Sequence, residues 1–404
     1  MNEAYIVATA RSPIGRAGKG SLVDIRADDL AARMAQAAVA AVPGLDPARI
    51  DDLLLGVGQP AGEQGFNMAR IVAVLAGWDT VPGATVNRYC SSSLQTTRMA
   101  FHAIRAGEGD VFVSAGAESV SRYANGFSDL PAAVNPRFAD AIARTEARSA
   151  EGVPTWTDPR LEGNLPDPYI AMGQTAENVA QVHGITRDEQ DAFAARSQQR
   201  AEAAIASGFW ASDITPVELA DGTVVSADDG PRPGVTQEAL AGLNPVFRPD
   251  GTITAGNCCP LNDGAAALVV VSDRIVSELG LEPLARIVST GVSGLSPEIM
   301  GLGPVEASRR ALAQAGLGID DMDLVEINEA FAAQVIPSAR ELGVDPERLN
   351  VHGGAIAVGH PFGMTGARIT STLINGLRAR DGRYGLETMC VGGGQGMAMV
   401  LERL

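Results

Sequence analysis

Apolar residues fall along this chain in two alternating patterns: short continuous runs of strand length, and longer stretches where they recur every three or four positions, as on one helix face. The run Ile6 to Ala8, the periodic stretch Asp28 to Ala41, the run Asp52 to Val57 and the stretch Met68 to Ala76 lead to Val86 and Cys90. A helix is expected from there to Ala106, then a strand from Val111 to Ala115. The last third of the chain repeats the order. Strand Ala285 to Thr290, helix Val305 to Ala315, strand Leu324 to Ile327 and helix Ala330 to Leu342 lead to a glycine-rich bend at His360. Helix Thr365 to Leu377 and strand Leu386 to Cys390 follow. Strands alternating with helices predict βαβ units and a mostly parallel sheet, here as two such units packed together. In a pseudo-two-fold arrangement the bends carrying Cys90 and His360 share one seam, where pockets tend to form. From about Arg122 to Asp250 the rhythm breaks: the segment is rich in Pro and Asp and holds one strong helix, Arg187 to Ala206, so it reads as an inserted loop domain. Strand Ala265 to Ser272 then returns to the first half. The expected units are 1–121 with 251–276, a loop domain 122–250, and a second half 277–404.

Composition narrows the fold and the partners. The 404 residues are 46% hydrophobic but only 4% aromatic, with 46 glycines, so a large core must be built from Ala, Val, Ile and Leu at close approach. Layered helices and sheets suit that composition. A formal charge of −17 repels nucleic acid and anionic membrane, and neither is an expected partner. Lys19 is the only lysine, so arginine supplies almost every positive contact. No stretch approaches the roughly twenty apolar residues of a membrane span. The start Met1-Asn2-Glu3-Ala4-Tyr5 runs directly into a strand without the flank and core of a secretory signal. Four scattered cysteines are too few for a disulfide framework, and the pair Cys258-Cys259 lacks a second pair at zinc-ligand spacing. A cytoplasmic protein without a metal is expected.

Four segments carry candidate chemistry. In Val86-Asn87-Arg88-Tyr89-Cys90-Ser91-Ser92-Ser93 a thiol stands where a strand stops and a helix opens. A helix N-terminus favours the thiolate, the reactive form of cysteine. Gly353-Gly354-Ala355-Ile356-Ala357-Val358-Gly359-His360 delivers an imidazole onto a sharp bend. Cys390-Val391-Gly392-Gly393-Gly394 places a second thiol beside unobstructed N–H groups, which can bind an oxyanion. Asn328-Glu329-Ala330-Phe331 follows a strand, and its amide can hold a water or a carbonyl oxygen. Singly, each also reads as packing: a core cysteine, a satisfied histidine, a buried thiol, a strand-end asparagine.

Together these segments resemble the thiolase family, over essentially the whole chain. The resemblance implies an α/β, thiolase-like fold whose two duplicated halves pack as a layered αβαβα core with an inserted loop domain. It implies an acyl-CoA C-acyltransferase that cleaves 3-ketoacyl-CoA with coenzyme A, or runs the reverse Claisen condensation, through an acyl-cysteine. Coenzyme A and acyl-CoA are then substrates, with no permanently bound cofactor. Carried over by position, Cys90 is the nucleophile, His360 its base, and Cys390 the acid or base at the second reacting centre. The N–H groups of Cys90 and Gly392 form one oxyanion hole, and His360 with a water on Asn328 the other. The implied coenzyme A contacts are Arg232 at the nucleotide end, Met172 along the pantetheine channel, and Cys259 where the family commonly has serine. Phe247 and Phe331 wall the tunnel. A solvated arginine and a core methionine stay open as alternatives for Arg232 and Met172.

Ser93 in place of glycine and His352 in place of asparagine are expected to reshape the pocket. Ala171, where short-chain biosynthetic members often carry histidine, favours a degradative enzyme. Expected partners are acyl-CoA thioesters, further copies in a homodimer or homotetramer, and β-oxidation enzymes. The alternatives are a β-ketoacyl synthase-like condensing enzyme, which needs a second histidine where Asn328 stands, and a non-catalytic thiolase-like acyl- or lipid-binding protein, which would lack a reacting residue. A hydrolase would leave Cys390 idle.

Overall fold

Residues 2–404 are described by a computed structural model. The apolar runs of the first half form β1 (Ala4–Arg11), β2 (Asp52–Val57), β3 (Gly83–Val86) and β4 (Val111–Ser119), separated by α1 (Ala27–Ala40), α2 (Met68–Leu75) and α3 (Ser92–Ala106). The insertion holds α4 (Met172–His183) and α5 (Arg187–Ala206), and β5 (Asn262–Ser272) follows it. The second half comprises β6 (Ala285–Gly294), α6 (Gly303–Ala315), β7 (Leu324–Ile327), α7 (Ala332–Leu342), α8 (Thr365–Ala379), β8 (Tyr384–Val391) and β9 (Gln395–Arg403). No helix among the described residues is long and apolar enough to cross a membrane.

The strands run β3-β2-β4-β5-β1 in the first half and β7-β8-β9-β6 in the second. Leu349 adds one parallel bridge to Val325 of β7, at the place β3 holds in the first half. The duplicated order of elements is thus a duplicated sheet topology. The expectation of a mostly parallel sheet fails, however. Among the named strands parallel ladders are confined to β2 with β3, β2 with β4, and β7 with β8. β5 runs antiparallel to β1 and β4, and β9 to β8 and β6. The connections explain it: a parallel neighbour needs a crossover, but β8 turns into β9 through three glycines, a hairpin that allows only antiparallel pairing.

The two sheets meet edge to edge at Tyr5–Arg286 and Ile6–Ala285 alone, then diverge around α3 and α8, which pack on each other. Strand alternation assigns the faces. Leu53, Leu55, Val269 and Val271 turn outward into a core with α1 and α2. Leu54, Leu268 and Val270 turn inward, where they join Ile369, Leu373 and Met399. A third core packs α6 and α7 on the outer face of the second sheet. The result is five layers, αβαβα.

The insertion holds two long helices where the sequence reading finds one. A capping box of Thr186 and Glu189 opens α5, a strong local signal. Ala171 before α4 gives no side-chain cap, and Gly173, Thr175 and Asn178 are poor helix formers. Burial of Ala176 and Ala180 against the second-half core stabilises α4 instead. Finally, α3 and α8 both begin at the seam, and glycine sets how tightly. A Cβ on Gly363 would lie 2.2 Å from Ala117 O and 2.6 Å from Gly56 O. Only glycine lets the bend after His360 press onto β2 and β4.

Candidate active site

Cys90 sits in a 3-10 turn, Tyr89–Ser91, between β3 and α3. Tyr89 has φ of +43°, a conformation that costs a side-chain-bearing residue on the order of 1 kcal/mol. Ser92 Oγ holds this elbow by accepting from Arg88 N at 2.9 Å and donating to Tyr89 O at 2.7 Å. Part of the residue reaches the surface, but the sulfur is enclosed and faces the N–H groups of Gly392 and of Cys90 itself. Burial pushes the thiol up to about 11, the Glu118 charge adds to this, and the two N–H groups oppose it. The pull of a helix N-terminus toward the thiolate is thus outweighed here, and burial favours the thiol. α3 begins only at Ser92, and desolvation outweighs the local dipole. Alkylation of Cys90 by iodoacetamide should climb without levelling from about pH 7 to about pH 10, in step with the thiolate fraction. A plateau with a midpoint near neutrality would show a stabilised thiolate after all.

Two further thiols share the enclosure. Burial holds Cys390 well above the ordinary thiol range, and the nearness of Cys90 adds to it. Cys259 is raised by burial and then by Cys258, Cys90 and Cys390. Backbone bonds tie the neighbouring segments together: Asn328 N donates to Thr388 O and Cys259 N to Ala330 O, both at 3.0 Å. His360 is buried, with Nε2 at 3.2 Å from Asn328 Nδ2 and its backbone N donating to Asn262 Oδ1 at 2.9 Å. Burial, helped by the Arg368 charge, pulls the imidazole down to about 3, so the ring is neutral at physiological pH.

Sequence reasoning missed Glu118, which is fully buried. Its carboxylate accepts from Gly58 N (2.7 Å), Gln59 N (3.3 Å), Gln64 Nε2 (2.6 Å), Tyr123 OH (2.9 Å) and Gly363 N (2.9 Å). One group thereby fastens the His360 bend to the sheet that leads to Cys90. The available signal was a single carboxylate in a strand of otherwise apolar and small residues, Val111 to Ser119. Asn262, which holds the His360 backbone, was missed for the same reason: its function is a contact made far away in sequence.

Phe247 and Phe331 meet edge to face, with ring centroids 6.4 Å apart, and Met172 and Cys258 pack on the same cluster as Phe331 and Cys390. Arg232 is not brought to the reacting groups. Its N donates to Gln198 Oε1 at 2.9 Å, and burial and then the Arg16 charge lower its pKa, which places it beside Arg16. Two expected pocket changes are corrected. Ser93 Oγ accepts from Ala367 N at 2.9 Å and fastens α3 to α8. His352 stacks on Phe209, with centroids 3.6 Å apart, and fills core space there.

Family models agree with this architecture. "Thiolase, N-terminal domain" matches residues 4–274 and "Thiolase, C-terminal domain" residues 281–403. The 3-ketoacyl-CoA thiolase of Bacillus subtilis (strain 168) is 43% identical, with 100% of each sequence covered. The 3-oxoadipyl-CoA/3-oxo-5,6-dehydrosuberyl-CoA thiolase of Escherichia coli (strain K12) is 45% identical, again over 100% of each. Among solved structures, the Bacillus anthracis acetyl-CoA acetyltransferase aligns with a TM-score of 0.86 at 41% identity. Human mitochondrial 3-ketoacyl-CoA thiolase aligns with a TM-score of 0.85 at 37% identity, and for each structure 100% of this chain and 99% of the other are covered.

Proposed function

This chain belongs to the thiolase family, and from that premise we propose how its residues divide an acyl transfer that runs through an acyl-cysteine. The activity is that of an acyl-CoA C-acyltransferase: a 3-ketoacyl-CoA is cleaved to acetyl-CoA and a shortened acyl-CoA, or the reverse condensation is run. Coenzyme A and acyl-CoA are its substrates.

In the cleavage direction the Cys90 sulfur attacks C3 of the 3-ketoacyl-CoA while its proton passes to His360 Nε2. With the thiol near 11 and the imidazole near 3, no ion pair is stored beforehand, so the proton moves as the S–C bond forms. The C2–C3 bond then breaks, the carbanion at C2 takes a proton from Cys390, and acetyl-CoA leaves. Coenzyme A next gives its thiol proton to the Cys390 thiolate and attacks the acyl group. Cys90 departs and recovers its proton from His360. The observation that carries this division is the shared enclosure, in which Cys90 bears on the titration of Cys390 and Gly392 N–H faces the Cys90 sulfur. A thiol also matches the pKa of an incoming thiol far better than a carboxylate does. The N–H groups of Cys90 and Gly392 suit the negative oxygen of one intermediate. Asn328 Oδ1, buried without a protein partner, suits a water serving the other. Incubation with acetyl-CoA should leave one acetyl group, on the Cys90 peptide; an adduct mapped to any other residue would overturn the assignment.

We place Met172, Phe247 and Phe331 along the pantetheine channel on the strength of their common cluster, and Cys259 there because it follows Cys258 of that cluster. Arg232 is proposed for the nucleotide end because its exposed side chain stands near the Arg16 charge in a chain of net charge −17. If Cys259 touches pantetheine, Cys259→Ser should lower KM for coenzyme A at nearly constant kcat, since a better donor helps ground and transition states alike. The gain should be about 1 kcal/mol. An unchanged KM, or equal thiol labelling of Cys259 with and without saturating coenzyme A, would place the side chain off the channel.

We further propose the division 1–121 with 251–276, 122–250 and 277–404, supported by β5 pairing with β1 and β4 across the insertion. A homodimer or homotetramer is supported by β3, the end strand of its sheet, and by the exposed Phe66, Val74 and Leu75 close to it in sequence. Four free cysteines support a reducing cytoplasm.

A further inference from the structure

Resting on the reading of His360 as the base, we propose that Thr365 is a positioning residue that fixes which ring nitrogen of His360 carries hydrogen, and thereby which way the Asn328 amide faces. Thr365 opens α8, five residues after His360, and is fully buried. Its Oγ1 lies 2.6 Å from His360 Nδ1 and 2.7 Å from Pro361 O. A hydroxyl has one hydrogen, and a carbonyl oxygen can only accept. Both contacts are satisfied together in one arrangement only: the hydroxyl donates to Pro361 O and its lone pair accepts from Nδ1–H.

A neutral ring with hydrogen on Nδ1 has a bare Nε2. The group facing that lone pair must donate, so the Asn328 atom at 3.2 Å is Nδ2, as it stands in the structure. Asn328 Oδ1 is then turned away from the ring, and it is the buried amide oxygen left without a protein partner. Four residues thus form one relay: the Pro361 carbonyl orients the Thr365 hydroxyl, the hydroxyl sets the His360 tautomer, and the tautomer sets the Asn328 amide. The chemical consequence lies at Nε2. With hydrogen on Nδ1 that atom can take the Cys90 proton, whereas the opposite tautomer presents an N–H and can take nothing. After the transfer, Nδ1–H still donates to Thr365, so the ring holds its place through both half-reactions.

The test uses Thr365→Val, which keeps the shape and removes the hydroxyl, and Thr365→Ser, which keeps the hydroxyl. The valine variant should lose at least about tenfold in kcat for acetoacetyl-CoA cleavage at little-changed KM, and the serine variant should stay within about twofold of the native enzyme. A packing role for the Thr365 methyl would give the reverse ranking. The nitrogen shifts of ¹⁵N-histidine-labelled native enzyme, assigned against His360→Gln, should show His360 with hydrogen on Nδ1 and a bare Nε2. This measurement stands even if the valine variant fails to fold. Hydrogen on Nε2 in the native enzyme, native kcat in Thr365→Val, or a serine variant as slow as the valine one would each overturn the proposal. Native kcat in His360→Gln would instead sink the assignment of the base, a separate failure.

Discussion

Cys90→Ser should abolish turnover, with kcat for acetoacetyl-CoA cleavage falling by about four orders of magnitude or more while near-ultraviolet circular dichroism stays native. Serine fits the elbow at Tyr89–Ser91 and meets the same N–H groups, so geometry is not what is lost. What is lost is acidity. The thiol already stands near 11 against an imidazole near 3, and a hydroxyl lies several units higher still, beyond what a neutral, buried His360 can deprotonate even in concert with attack. Loss of the enolate absorbance of acetoacetyl-CoA follows the reaction directly. A serine variant within about tenfold of native kcat would move the nucleophile elsewhere.

Cys390→Ala should separate the half-reactions. Acylation of Cys90 from acetyl-CoA should persist as a burst, because the Cys90 elbow, Gly392 N–H and His360 are untouched. Steady carbon–carbon cleavage should fall by about three orders of magnitude, because the C2 carbanion and the coenzyme A thiol lose the group that exchanges protons with them. Cys390 is fully buried, so the void left by its sulfur should also cost on the order of 1 kcal/mol of stability. Rapid-quench measurement of the acyl-enzyme beside steady-state turnover distinguishes the two effects. Equal loss of acylation and turnover would show that Cys390 shares the first step.

Local pattern carried much of this molecule. Asp52–Val57, Arg187–Ala206 and Leu324–Ile327 have the limits that their apolar spacing and caps indicate, and the repeat of elements marks the seam where α3 and α8 meet. Strand direction was not legible, because alternation records which face a residue takes and says nothing of the neighbour across the ladder. The α4 helix was not legible, because Gly173, Thr175 and Asn178 have weak local preference and its stability comes from the core it covers. The protonation of Cys90 was not legible for a related reason. A helix terminus is visible in sequence, whereas the desolvation that overrides it comes from burial by segments brought from far along the chain. Thr365 could have been found from its place as the first residue of a helix that opens just after a histidine. Ser93 and His352 looked like pocket residues because they lie beside motif positions, yet their side chains point into helix packing.

Glu118 also bears on how the molecule can come apart. Its oxygens gather amides from the β2 end, a side chain each from Gln64 and Tyr123, and the amide of Gly363 from the other half of the repeat. Around it the inward faces of both sheets close over the same α3 and α8 pair. A fragment ending with the first half would leave a buried carboxylate short of a donor and strip the cover from Leu54, Leu268 and Val270. The two halves should therefore unfold as a single cooperative unit, with amide exchange at Gly58 and Gly363 reporting the same opening event.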